Sequence, residues 1–173
     1  KQGHTVYATT RASSNRECLL KLQDVYGEKL HIKDLDVIDA GSIERCIDPI
    51  LANDGYIDVI INNAGYGLLG PLETASIEEA YQQFNVNFFG VIRVIHAVLP
   101  SMRKRKKGHI INVSSIAAID IPPVTSLYAA SKAALEAISE AMATNLSPWN
   151  INVSVIEPGP VNTNFTDDIK CGT

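Results

Sequence analysis

The chain has 173 residues, of which 46% are hydrophobic and 20% are charged, a composition typical of one globular domain rather than of a disordered or fibrous protein. Its formal net charge of -4 at pH 7 argues against binding to a nucleic-acid backbone. Three widely separated cysteines and four scattered histidines predict reduced thiols, no metal site and a cytoplasmic protein. No signal peptide and no apolar run of about 18 residues is apparent, so we expect no membrane span.

Strands and helices alternate along the sequence. Apolar and β-branched runs bounded by Gly or Pro predict five strands, over residues 5–10, 29–37, 57–62, 109–114 and 151–156. Apolar residues at helical spacing predict four helices: from Ser13 or Ser14 to about Tyr26, a short one that opens at Ser42, and then 77–105 and 127–146. This alternation predicts an α/β fold with a doubly wound, Rossmann-like parallel sheet, whose ligands bind at the carboxyl ends of the strands.

The chain begins inside this pattern rather than at its start. An open α/β domain that binds dinucleotides normally starts with a strand and a Gly-rich turn, and neither precedes Thr5. We therefore expect residues 1–173 to be a single partial domain that is unstable and inactive by itself. The strands at 5–10 and 29–37 should pair with each other, and the strand at 57–62 with that at 109–114. A gap of two strand spacings, roughly 9 to 10 Å, should separate the two groups.

The helix predicted over residues 77–105 is apolar around most of its circumference between Val86 and Leu99. One face of a sheet cannot cover such a helix, so a second burying surface is expected. The basic run from Arg103 to Lys107 follows the apolar part, where cations complement the helix dipole, and Gly108 should close the helix.

The stretch I-I-N-V-S-S followed by Y-A-A-S-K contains the residues best suited to catalysis. Tyr128 and Lys132 lie four positions apart, on one face of a helix, where an ammonium favours an ionised phenol. A free phenol has a pKa of about 10, so proton exchange near neutrality requires a pKa roughly 3 units lower. Ser115, at the end of the preceding strand, could share a substrate oxygen with Tyr128. Taken alone, the five-residue pattern also fits an ordinary helix start.

Further motifs accompany this pattern: N-N-A-G at residues 62–65, Asn87 in N-V-N-F-F-G, and a serine thirteen residues before Tyr128. In this order and spacing they resemble the short-chain dehydrogenase/reductase family, from Thr5 to about Thr163. Three segments are similar to its 17-beta-hydroxysteroid dehydrogenase and retinol dehydrogenase branch: V-Y-A-T-T-R, N-A-G-Y-G-L-L-G-P-L-E and P-G-P-V-N-T. By this resemblance the chain lacks segments at both ends.

The resemblance implies a catalytic tetrad of Asn87, Ser115, Tyr128 and Lys132. Tyr128 would exchange a proton with the substrate oxygen, and Ser115 would hydrogen-bond that oxygen. Lys132 would lower the pKa of the phenol and bind the nicotinamide ribose. Asn87 would hold a water that connects the lysine to solvent, although a tolerated polar residue is the alternative. Ser114 is the alternative to Ser115, but the spacing to Tyr128 favours Ser115.

The resemblance also implies a dinucleotide site. Its residues would be Arg11, Asp36, Val37, Asn63, Ala64, Gly65, Tyr128, Lys132, Pro158, Gly159, Val161 and Thr163. Asp36 would contact the adenine, with a surface turn as the alternative. Arg11 follows the strand end where a NAD enzyme needs an acidic residue, and a guanidinium pairs well with phosphate, so NADP(H) is favoured over NAD(H). A solvated charge is the alternative for Arg11.

These features predict an NADP(H)-dependent oxidoreductase that interconverts a secondary alcohol and a ketone on an apolar, steroid-like or retinoid-like substrate. A 3-oxoacyl thioester reductase or a sugar reductase on the same scaffold is the second interpretation. A non-catalytic dinucleotide-binding regulator is the third, and the presence of all four tetrad residues argues against it. The resemblance further implies a homo-oligomer formed through the helices at 77–105 and 127–146, without a nucleic-acid or membrane partner.

Overall fold

The structure is a computed structural model that describes residues 3–161 and 169–171. Strands and helices alternate through these residues. In chain order they are β1 (Val6–Thr10), α1 (Glu17–Tyr26), β2 (Leu30–Asp34), α2 (Ala40–Asp54), β3 (Val59–Asn62), β4 (Leu68–Leu69), α3 (Ile77–Phe84), α4 (Gly90–Arg105), β5 (Gly108–Val113), α5 (Ser126–Leu146), β6 (Ile151–Ile156) and β7 (Lys170–Cys171). The predicted α/β class is therefore confirmed.

All strand pairs in the described part are parallel, and they form separate sheets. β1 pairs with β2, while β5 lies between β3 and β6 in a three-stranded sheet. The two predicted pairings are confirmed, and β1 is not hydrogen-bonded to β3, so the sheet has not closed across the predicted gap. The short strands β4 and β7, which the sequence did not predict, form a third pair.

The hydrophobic core surrounds the three-stranded sheet. Its buried members come from α2, α4 and α5 and from the three strands that these helices cover: Ile43, Ile47, Ile60, Val91, Ile95, Val98, Met102, Ile110, Leu135, Leu146 and Ile151. None of these members belongs to β1, α1 or β2. The first two strands are therefore attached to the core rather than built into it.

The apolar face predicted for the first helix is not buried in the described part of the chain. The helix begins at Glu17 rather than near Ser13, no residue in it is buried, and Val25 is 74% exposed. In the described part of the chain, β3 is also covered on one face only. Val59 is 46% exposed and Ile61 is 62% exposed, because only the other face of β3 contacts the core.

The long apolar helix is continuous but contains a π-helical turn. It runs from Ile77 to Arg105, and residues Asn85–Phe89 form the π turn. By length and composition this helix of 29 residues could cross a membrane, which was not predicted from the sequence. A third of its most apolar stretch is buried in the protein, and α2 and β5 pack against α4. The core helix of a soluble protein meets the same criterion, so the length and composition of this helix are weak evidence for a membrane span.

Several helix ends differ from the predictions. Asp39, not Ser42, caps α2: its carboxylate accepts from the Gly41 N–H at 2.9 Å. The long helix ends at Lys106, which adopts a left-handed conformation with φ of 51°, and not at Gly108. Gly108 begins β5, and a Cβ added there would lie 2.5 Å from the Met102 sulfur. This glycine is therefore required by close packing rather than by helix termination.

Candidate active site

The two serines at the end of β5 have different environments. Ser114 is buried, and its hydroxyl donates to Glu136 Oε1 on α5 at 2.6 Å. Ser115 is half-buried and begins a 3-10 turn, where its Oγ accepts from the Ala117 N–H at 3.2 Å. Ser115 is the more exposed of the two serines, so its hydroxyl is the better placed for a ligand.

Lys132 lies almost completely inside the protein. It is 4% exposed, and its ammonium donates to the Val113 carbonyl at 2.8 Å. Burial lowers the pKa of Lys132 to about 8, because removing the ammonium from water disfavours its charged form. The side chain therefore bridges α5 to the end of β5, two residues before Ser115.

Tyr128 occupies the first turn of α5, one turn before Lys132. The lysine Nζ lies 5.9 Å from the centroid of the tyrosine ring. Ser131 Oγ donates to the Tyr128 carbonyl at 2.7 Å and accepts from Asn87 Nδ2 at 3.1 Å. The helix turn that carries the phenol is thereby connected to the π turn of the preceding long helix.

Asn87 is fully buried in the π turn, and its amide is occupied by protein groups. Its Oδ1 accepts from the Tyr66 N–H at 3.1 Å, and its Nδ2 donates to the Tyr66 carbonyl at 3.0 Å as well as to Ser131. The side chain therefore fixes the backbone that follows the N-N-A-G motif. Its predicted role in holding a water stays a prediction.

Gly65 brings the N-N-A-G motif against the tetrad. A Cβ added at Gly65 would lie 3.0 Å from Asn87 Oδ1 and 3.5 Å from Lys132 Nζ. The lack of a side chain thus permits the close approach of these three residues. Gln83, which is fully buried, also holds the following segment: it donates to the Tyr66 carbonyl at 2.8 Å and accepts from the Leu68 N–H at 2.7 Å.

Further residues of the predicted dinucleotide site lie after β3 and after β6. Asn63 and Ala64 are exposed just beyond β3. Pro158 follows β6, and its carbonyl accepts from the Ile116 N–H at 3.1 Å, which joins this segment to the turn after Ser115. Gly159 and Val161 are exposed. Thr163 lies outside the described residues.

The predicted adenosine-side residues follow β1 and β2. Arg11 is exposed, next to the end of β1. The Asp36 carboxylate accepts from the Ile38 N–H at 3.1 Å, which is the turn geometry that was its alternative interpretation. Val37 packs against the long helix: a Cβ added at Gly90 would lie 2.7 Å from Val37 Cγ2, and Arg93 donates to the Val37 carbonyl at 3.3 Å.

A buried polar ladder was missed by the sequence analysis. Asn62 Nδ2 donates to Asn112 Oδ1 at 2.8 Å, Asn112 Nδ2 donates to Ser139 Oγ at 2.8 Å, and Ser139 Oγ donates to the Leu135 carbonyl at 2.6 Å. The ladder joins β3, β5 and α5 behind the candidate site. The one available signal was Asn112, an amide inside an otherwise apolar strand.

Comparison with known proteins identifies the family. Residues 1–172 match the short chain dehydrogenase family. The chain is 42% identical over 168 residues to 3-ketodihydrosphingosine reductase of Bacteroides thetaiotaomicron, covering 97% of this chain and 59% of that protein. It is 40% identical over 166 residues to human retinol dehydrogenase 8, covering 95% of this chain and 52% of that protein. A crystal structure of gluconate 5-dehydrogenase from Burkholderia cenocepacia, in complex with NADP and tartrate, superposes with a TM-score of 0.85 at 26% identity, over 94% of this chain and 64% of that one.

The chain therefore belongs to the short-chain dehydrogenase family. It spans 59% of the length of the first of these relatives and 52% of the second. The resemblance inferred from the Tyr-x-x-x-Lys and N-N-A-G motifs is thus confirmed at the level of the family.

Proposed function

We propose that the protein containing this chain is an oxidoreductase that interconverts a secondary alcohol and a ketone with a nicotinamide dinucleotide. The observation that carries this proposal is the burial of Lys132 beside Gly65 and Asn87, one helical turn from Tyr128. A lysine is rarely so buried without a reason, because desolvating its charge is costly. The same residues stand in the family-specific order in a chain whose family is known.

The proposed chemistry assigns one task to each side chain. In the direction of ketone reduction, the Tyr128 hydroxyl gives a proton to the substrate oxygen, and Ser115 donates a hydrogen bond to that oxygen. The Lys132 ammonium stabilises the phenolate that remains. Bound NADP(H) would supply the hydride, or accept it in the reverse direction. Asn87 keeps the Tyr66 backbone and the first turn of α5 in place around these groups.

A dinucleotide fits the strand ends that the structure describes. The residues after β3 and β6 are small and largely exposed, and a Cβ added at Gly159 would meet no atom within 4 Å. Such an edge gives the backbone room to approach a flat ligand. The exposed Arg11 supports NADP(H) as the preferred cofactor, with the guanidinium on the 2′-phosphate.

We further propose an apolar substrate, in preference to a sugar or a thioester. The loop between Ser115 and Tyr128 carries aliphatic side chains that are 41–62% exposed: Ile116, Ile119 and Ile121. Exposed aliphatic groups beside a site of this kind favour an apolar ligand. The names of the two relatives, retinol dehydrogenase 8 and 3-ketodihydrosphingosine reductase, agree with this substrate class.

The proposal includes a cytoplasmic homo-oligomer built on one domain. The free thiols of Cys18, Cys46 and Cys171 suit a reducing compartment. A groove between α4 and α5 supports self-association, because five of its eight lining side chains are apolar: Ile92, Ile95, Leu99, Met142 and Leu146, beside His96, Arg103 and Asn145. Light scattering of the whole protein tests this, and a mass of one subunit at micromolar concentration would contradict it.

The experiment for the proposed function is the Tyr128→Phe substitution in the whole protein. Only the phenolic oxygen is removed, so ring packing stays and the transferable proton is lost. We expect turnover of apolar ketones with NADPH to fall by at least about 100-fold, the lower end of what general acid catalysis contributes. NADPH binding, measured by its fluorescence, should change little.

A matched control is available at Tyr81, which is 68% exposed on α3. Tyr81→Phe makes the same chemical change away from the site and should leave turnover at the wild-type rate. If Tyr128→Phe kept most of the wild-type rate, the assignment of the acid would be wrong.

A further inference from the structure

Val124 has an unusual backbone conformation in the loop that leads to Tyr128. Its φ is +60°, in the left-handed region that β-branched residues rarely occupy. Such a conformation persists only where surrounding contacts impose it, and it is often associated with functional sites. The residue lies four positions before the tyrosine.

A hydrogen bond holds Val124 in this conformation. Its carbonyl accepts from the Gly70 N–H at 2.8 Å, and Gly70 itself has a φ of +145° that requires glycine. Two backbone segments in unfavourable conformations therefore meet at one bond. The bond joins the segment after the N-N-A-G motif to the loop between Ser115 and Tyr128.

The Gly70 side of this bond is anchored. Leu68 is 3% exposed, its N–H donates to Gln83 Oε1 at 2.7 Å, and it pairs with Lys170 in the β4–β7 sheet. The position of Gly70 is thus set by the long helix and by β7. The loop at Val124 is therefore hydrogen-bonded to a segment whose position is fixed by the core.

On the other side, the turn at Val124 leads directly into α5. Thr125 is the N-cap residue, but its side chain makes no cap hydrogen bond and donates instead to the Pro122 carbonyl at 2.6 Å. The start of α5 therefore lacks the side-chain cap that usually fixes a helix N-terminus. Tyr128 is the third residue of this helix, so the direction of the Val124 turn contributes to where its first turn lies.

We infer that Val124 is a positioning residue for Tyr128, acting through its left-handed turn and its bond to Gly70. The inference rests on the proposed function, because it assigns Tyr128 the catalytic proton. It concerns the backbone of Val124, not its side chain. Lys132 has its own anchor at the Val113 carbonyl, so cofactor binding should not depend on this turn.

Three substitutions in the whole protein separate the backbone from the side chain. Val124→Gly and Val124→Asn both remove the isopropyl group but tolerate a positive φ. Val124→Pro removes the same group but fixes φ near −65° and so forbids the turn. We expect Val124→Pro to lower kcat about 100-fold, as a small misplacement of a catalytic group can, while the Gly and Asn variants stay within about threefold of wild type. KM for NADPH should be nearly unchanged in all three.

Gly70→Ala disturbs the same bond from its other end. If Val124→Pro and Gly70→Ala each break the hydrogen bond between these two residues, the second substitution has no bond left to break. The double variant should then lose no more activity than the less active of the two single variants. Deuterium exchange over residues Ser126–Lys132 supplies a measurement that does not need turnover. It should increase in Val124→Pro and stay at the wild-type level in Val124→Asn.

Three outcomes would overturn the inference. The first is a Val124→Pro variant with wild-type kcat and wild-type deuterium exchange. The second is an equal loss of activity in the Pro, Gly and Asn variants. The third is a Val124→Pro variant that loses NADPH binding together with activity, because that loss would show a general effect on the fold. Wild type and Tyr128→Phe are measured in parallel. If Tyr128→Phe stays active while exchange still separates Val124→Pro from Val124→Asn, the proposed function fails and the positioning of the first turn stands.

Discussion

Lys132 shows how much a single side chain can cost the fold. Its ammonium is taken from water into a site where the Val113 carbonyl is its hydrogen-bond partner in the described structure, and its pKa falls from 10.5 to about 8. The folded state therefore holds this proton less tightly than the unfolded chain does. Below pH 8 the full cost is present, about 3 kcal/mol from the difference between the two pKa values.

This cost predicts a pH dependence of stability. Between pH 8 and 10.5 the folded state has released the proton while the unfolded chain still binds it, so folding gains stability as the pH rises. Lys132→Met removes the titrating group. The stability of wild type relative to Lys132→Met, measured by urea unfolding, should increase by up to about 3 kcal/mol from pH 7 to pH 10.

The exposed Lys21 on α1 gives a control for that measurement. Lys21→Met should produce a curve parallel to wild type over the same pH range. If the stability of Lys132→Met also followed that of wild type in parallel across this pH range, Lys132 would not be desolvated in solution.

Arg11 is the residue proposed to select the cofactor. Arg11→Asp removes the proposed partner of the 2′-phosphate and installs a carboxylate that can accept from a ribose hydroxyl. The ratio of kcat/KM for NADPH to that for NADH should fall by at least about tenfold, since charge-assisted hydrogen bonds contribute about 1.5 to 3 kcal/mol. Lys21→Asp changes the net charge equally and should leave the ratio alone. An unchanged ratio for Arg11→Asp would place the phosphate elsewhere.

The four tetrad positions were inferred from fixed spacings within the sequence and stay a prediction. The partners of their side chains could not be inferred in this way. Asn87 bonds to Tyr66, 21 residues away, and to Ser131, 44 residues away, and no local pattern encodes such contacts. For the same reason the sequence indicated two alternatives for Asp36, and its turn geometry became visible only in the structure.

At the scale of elements, helices and strands with a long apolar pattern were predicted, and elements too short to show such a pattern were missed. The five long strands and four helical segments follow from apolar runs and from Gly and Pro positions, and their ends differ by a few residues. β4 and β7 have two residues each, too few for any periodicity. The π turn at Asn85–Phe89 was not predicted: its Asn87 side chain bonds to Tyr66 and Ser131, far away in the sequence, and no local pattern shows such contacts.

Two arginines of the basic run after the long helix contact neighbouring elements. Arg103 lies over the Trp149 ring at 4.6 Å, and Arg105 lies over the Tyr56 ring at 4.1 Å while pairing with Asp58 at 2.8 Å. These contacts use the guanidinium groups to attach the helix end to its neighbours. The two arginines of the run are therefore engaged in intramolecular contacts, whereas Lys104, Lys106 and Lys107 are exposed.

At the scale of the whole molecule, the two sheets differ in how they are supported. Each strand of the three-stranded sheet contributes a buried residue to the hydrophobic core, whereas β1 and β2 contribute none. β1 is connected to α2 by a hydrogen bond from the Tyr7 hydroxyl to Asp54 Oδ2 at 2.7 Å, at the exposed surface. Val6 is 48% exposed, and its strand has no hydrogen-bonded neighbour other than β2 among the described residues.

This difference predicts unequal local stability in the 173-residue chain. Strands with few buried apolar contacts open at lower free energy than strands in the core, so their amides exchange faster. In native-state deuterium exchange, amides of Val6–Thr10 should exchange at least about 100-fold faster than those of Gly108–Val113. β6 is the matched comparison, because it is also an edge strand but has Ile151 buried at 1% exposure, and its bonded amides should be protected like those of β5. Equal protection of β1 and β6 would mean that β1 has found another partner in solution, either by closing the gap to β3 or by pairing with a second chain.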